Sequence, residues 1–71
     1  MTNKEVAVAW SEGRRAAAGH FSTDGRNLYS YALLIGQTVE GKKVVTRYRV
    51  SVTTSKHTNL AARFADEVVS P

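Results

Sequence analysis

Cysteine is absent from this chain, which removes every disulfide and every zinc site of ordinary Cys/His spacing. His20 and His57 are the only imidazoles, too few for a metal centre built on histidine, and no cofactor motif is present. The single proline is the last residue, Pro71, so none interrupts the interior of the sequence. No apolar run approaches the roughly 20 residues that a membrane-spanning helix needs. Met1-Thr2-Asn3-Lys4-Glu5 lacks the basic-then-apolar layout of a secretory signal, so the expected location is the cytoplasm. Glycines are few and scattered, at 13, 19, 25, 36 and 41, with no phosphate-loop spacing. Paired carboxylates at a spacing suited to acid-base work are missing as well. Ser51, Thr53, Thr54 and Ser55 stand near His57 but without a nucleophile elbow, and capping accounts for them. The expectation is a protein that binds and is not an enzyme.

What remains is 71 residues, room for one domain spanning 1–71, with a thin core held by apolar packing alone. Ten Lys/Arg against six Asp/Glu leave a net charge of +4. Acids are missing from Gly41 to Ala65, whereas Lys42, Lys43, Arg47, Arg49, Lys56 and Arg63 all fall there. One sign held through a continuous stretch predicts a positive face.

Thr2-Asn3-Lys4-Glu5 has the form of a capping box, and Val6, Ala9 and Trp10 then recur at helical spacing up to Gly13. Arg14 to Gly19 reads as a connector. A short strand at His20–Thr23 precedes Asp24-Gly25, a hairpin signal, and an apolar strand runs from Leu28 to Gln37. Glu40-Gly41 marks a second turn. In the strand that follows, Val44, Thr46, Tyr48, Val50 and Val52 alternate with Lys43, Val45, Arg47, Arg49 and Ser51. This pattern predicts a valine face towards the core and a basic face towards solvent. Thr53-Thr54-Ser55 would cap a last helix whose stripe is His57, Leu60, Ala61, Phe64, Ala65 and Val68. The predicted fold is α+β: helix, three-stranded antiparallel sheet, helix (α-β-β-β-α), with both helices on one face and Trp10, Leu33, Val50 and Phe64 in the core. The open edge of the His20–Thr23 strand offers a route to a homodimer by strand pairing.

Two resemblances attach to these residues. Leu28-Tyr29-Ser30-Tyr31, Ile35-Gly36 and the segment Tyr48 to Thr58 resemble a group of small uncharacterised bacteriophage and bacterial proteins. Those carry a YSY strand and a YSVTTSKH segment before a helix; here Arg49 and Val50 stand between the tyrosine and the serine. The resemblance implies a phage or mobile-element origin and carries no activity. The predicted order of elements is similar to the double-stranded-RNA-binding domain, where lysines at the start of the last helix grip phosphates. Lys56 matches such a position.

These features single out a nucleic-acid-binding set of Lys42, Lys43, Arg47, Arg49, Lys56, His57, Asn59 and Arg63. The function predicted is contact with a nucleic-acid backbone, DNA or RNA, through a basic strand face and helix start. The alternative is a phage effector that binds and inhibits a host protein, in host takeover or against its defences.

Overall fold

A computed structural model describes residues 1–48 and 51–70. The elements are α1 (Asn3–Ser11), β1 (Ala16–Ala18), β2 (Phe21–Thr23), β3 (Leu28–Ser30), β4 (Leu33–Val39), β5 (Lys42–Thr46), α2 (Val52–Ala62) and β6 (Glu67–Val69). All six strands join one sheet in chain order, antiparallel from β1 to β5 and parallel between β5 and β6. The three-stranded antiparallel sheet of the α-β-β-β-α expectation is therefore replaced by a six-stranded mixed sheet. The likeness to the double-stranded-RNA-binding order rested on that expectation and does not survive it.

Each departure has a local cause. The small residues Ala16–Ala18, read as a connector, pair with β2 through the Gly19-His20 turn. This pairing makes β2 an interior strand, so the edge-to-edge dimer expected there has no open edge to use. The apolar run 28–37 is cut in two by a Tyr31-Ala32 turn, with Ser30 paired to Leu33. β5 stops at Thr46, and Val52 opens α2 instead of lining a strand, with 74% of its surface exposed. Ser51, not the Thr53–Ser55 run, is the N-cap of α2, accepting from the Thr54 N–H. That helix ends at Ala62, and Val68 lies on β6, not on a helical stripe.

The first helix follows its sequence signals closely. Thr2 and Glu5 form the reciprocal capping box, and Val6, Ala7, Ala9 and Trp10 are buried. Gly13 follows the helix at a positive φ of 76°. Glu40 and Gly41, both at positive φ, make the two-residue turn between β4 and β5. At the β2–β3 turn, the Asp24 carboxylate accepts from the Arg26 and Asn27 N–H groups, which lowers its pKa.

Both helices pack on one face of the sheet. Pairing sets Phe21 beside Ser30, Leu28 beside Gly36, Gly36 beside Val45, and Thr38 beside Lys43, all on that face. Trp10 of α1 lies over Leu28 and Gly36, while His57 of α2 lies on Phe21. The inner residue of β5 is Val45, fully buried, and Val44 points to the opposite, uncovered side. The predicted facing of this strand is thus inverted. Leu33 and Phe64 are partly buried at the margin of a core formed by Val6, Trp10, Phe21, Leu28, Ile35, Val45 and Ala61. Val50 lies outside the described residues.

At Gly36 this packing leaves no room for a side chain. A Cβ built there would stand 2.9 Å from both Leu28 Cβ and Trp10 Cζ2. Gly36→Ala is therefore expected to destabilise the fold by about 1–3 kcal/mol, as overpacking does in a dense core. Gly41→Ala, at a turn open to solvent, is expected to cost less, through its positive φ alone. Chemical denaturation of the two variants would check the order.

Candidate nucleic-acid interface

The eight residues singled out from the sequence do not form one surface. Lys43 lies on the inner face, where its ammonium donates to Thr38 Oγ1 at 2.6 Å and to the Gly25 carbonyl at 3.1 Å. It also sits 5.5 Å from the centroid of the Trp10 ring. Burial, and next the charge of Arg26, lower its pKa, with Asp66 opposing. Two of its three donors are engaged within the fold, so it belongs to the structure and not to an exposed basic strand face. Lys42 is exposed at the start of β5, and Arg47 is exposed just past its end. Lys56, Asn59 and Arg63 share the solvent side of α2 with Val52, as their i, i+3, i+7 spacing requires. His57 is 3% exposed and faces the sheet. Arg49 lies outside the described residues.

Topology sorts the charges by the two ends of the sheet. At one end Gly25 meets Gly13, Thr38 Oγ1 donates to the Arg26 carbonyl, and the Lys43 N–H donates to the Asp66 carboxylate. The end of α1, the 24–27 turn, the 40–41 turn and the start of β6 therefore lie together. Five of the six acids, Glu12, Asp24, Glu40, Asp66 and Glu67, are on these segments. Arg14, Arg15, Arg26, Lys42, Lys43 and Arg63 accompany them, so this end is of mixed sign. Arg14 and Glu12 form an ion pair there.

The opposite end gathers the Gly19-His20 and Tyr31-Ala32 turns, the segment leaving β5 and the first turns of α2. Ser30 joins the turns to the helix through Thr54 and His57. No acid lies on any of these segments, and Arg47 and Lys56 do. The one remaining acid, Glu5, is engaged in the α1 capping box. Of the residues predicted for the interface, the fold thus brings Arg47, Lys56 and His57 to one end. It carries Lys42, Lys43 and Arg63 to the other.

A polar network is buried behind the acid-free end. Ser51 Oγ contacts Thr54 Oγ1 at 3.2 Å, Thr54 Oγ1 contacts Ser30 Oγ at 3.1 Å, and Ser30 Oγ lies 2.7 Å from His57 Nδ1. The His57 ring stacks on Phe21, with centroids 4.4 Å apart. A serine so close to an imidazole has the makings of a nucleophile, but Ser30 has 0% exposed surface and no substrate can approach it in this conformation. The network ties α2 to β3 and satisfies hydroxyls that would otherwise be buried unpaired.

One feature of this end is a backbone conformation, which the residue pattern does not show. Tyr31, 51% exposed, occupies the left-handed region at a φ of 58°. It fills the first position of a two-residue turn, where the adjacent turn has Gly19 at a φ of 60°. Left-handed backbone costs a residue with a side chain about 1–2 kcal/mol. The ring stacks on exposed His20 at a centroid distance of 4.3 Å and an interplanar angle of 16°. The Tyr31 N–H also donates to the His20 carbonyl at 2.6 Å.

Among the described residues, no group of three or more His, Cys, Asp and Glu is placed to hold a metal ion. Among the described residues, no helix is long and apolar enough to cross a membrane. No protein-family model, curated protein or solved structure matches the chain.

Burial, and secondarily the charge of His20, lower the His57 pKa from its ordinary 6.5. The unfolded chain accepts a proton below that value while the folded chain resists it, so stability is full above it and is lost as pH falls through it. The melting temperature is expected to drop between about pH 7.5 and about pH 5.5. His57→Asn is expected to flatten this slope, whatever its own stability, and His20→Asn to keep most of it.

Proposed function

We propose that the domain binds the phosphate backbone of nucleic acid through its acid-free end. The observation that carries this reading is the segregation of charge. Arg47 and Lys56 lie on segments that carry no Asp or Glu, at the same end of the sheet as an exposed aromatic pair. Cations in such a setting replace the counterions condensed on phosphates and release them to solvent. Asn59, exposed one turn along α2 from Lys56, adds an uncharged hydrogen-bonding group. The reading keeps the backbone contact expected from the sequence but changes its residues: Lys43 is withdrawn, and Lys42 and Arg63 belong to the mixed end. Backbone contacts carry little sequence information, so binding is tolerant of base sequence.

Arg47→Ala combined with Lys56→Ala is expected to weaken binding to oligonucleotides. It should also flatten the dependence of log affinity on log salt by about one to two units, since each lost phosphate contact removes a little under one. Lys42→Ala with Arg63→Ala removes the same charge from the mixed end and is expected to do less. Melting temperatures of both double variants should stay near the parent, because all four side chains are exposed. Fluorescence anisotropy over a salt series reads these slopes. If the parent at low salt binds neither duplex nor single strands at micromolar concentration, the nucleic-acid reading falls. The alternative, docking on a host protein, then takes its place.

A further inference from the structure

We infer that the stacked His20–Tyr31 pair is a platform for an unpaired base, which makes the ligand single-stranded nucleic acid. The inference rests on the backbone reading above and names its substrate class. Tyr31 stands at a turn position that glycine fills in the neighbouring hairpin, and it does so with its ring exposed, not buried in the core. Among the described residues its hydroxyl makes no hydrogen bond, and its described ring stacking is with His20. The fold therefore takes on backbone strain to hold an aromatic face out in solvent.

The setting supplies the rest of a single-strand site. Ser30, the residue before Tyr31, bonds to Thr54 and His57, so the Tyr31 turn adjoins the first turns of α2, which carry Lys56. Arg47 leaves β5 at the same end. Aromatic faces flanked by cations are the arrangement by which single strands are held with little regard to sequence, base on ring and phosphate on cation. In a duplex the faces of the bases are already stacked on one another and closed to Tyr31.

The test uses labelled single-stranded DNA and RNA oligonucleotides of one sequence, the matching duplexes, and a single strand carrying the fluorescent base 2-aminopurine. Tyr31→Gly keeps the left-handed turn and removes the ring. It is expected to melt at or above the parent temperature, to lose about tenfold in affinity for the single strands, and to leave duplex affinity unchanged. Quenching of 2-aminopurine should fall with it, and Tyr31→Phe should restore both. Single-strand affinity and quenching that survive in Tyr31→Gly, while the Arg47/Lys56 double variant binds weakly, would overturn the platform and spare the backbone reading. Absence of binding to every oligonucleotide would overturn both. Should Tyr31→Gly melt lower than expected, Tyr31→Asn supplies the same comparison, since asparagine also tolerates this backbone. The DNA and RNA arms distinguish which strand is preferred.

Discussion

Trp10 is the pin on which the domain turns. Its ring is fully buried between α1 and the sheet, pressed against Leu28 and the bare backbone of Gly36. Its Nε1 donates to the Arg26 carbonyl at 3.1 Å, which fixes the β2–β3 turn. Lys43 closes the arrangement from β5, its ammonium near the ring and bonded to Gly25 and Thr38. One indole thus bridges a helix, three strands and a turn, in a chain too short to supply a second such centre. Having drawn Lys43 inward, the same contact decides which cations are left for a partner.

Charge and packing are consequently not independent in this protein. The end built around Trp10 needs its turns held close, and two of its five acids serve that purpose: Asp24 orders its own turn and Asp66 ties the start of β6 to Lys43. The end built around the His57–Ser30–Thr54 network is held by hydroxyls and an imidazole instead. With structural work there done by neutral groups, the strand turns and the helix start at that end carry no Asp or Glu beside Arg47 and Lys56. A continuous basic segment in the sequence becomes a polarised molecule only through this division.

What was legible beforehand was what is local. The α1 capping box, its buried face, the Asp24-Gly25 hairpin and the Glu40-Gly41 turn each depend on residues a few positions apart. The Tyr31-Ala32 turn was not legible, because neither residue carries a turn preference and the strand pairing on both sides imposes the conformation. The facing predicted for β5 was the wrong one of two. Val44 and Val45 are both apolar, and a lysine able to lay its stem along a tryptophan looks on paper like a solvent residue. β6 was lost because three residues paired in parallel to a distant strand leave no periodic trace. Of the candidate site, the cations could be named but not sorted, since two residues adjacent on β5, Lys42 and Lys43, face opposite ways.

The parallel pairing of β5 with β6 bears on how the chain reaches this state. Every antiparallel pair closes across a short turn, so α1 and the first five strands can assemble from contacts between near neighbours in sequence. A parallel strand cannot be reached by a turn; it waits for a crossover, here α2, to carry the chain back along the sheet. The same crossover supplies His57, which stacks on Phe21 and covers that part of the core. Without α2 and β6, Phe21 would lose its His57 cover and β5 would be left as an open edge, so the last quarter of the chain is what closes both.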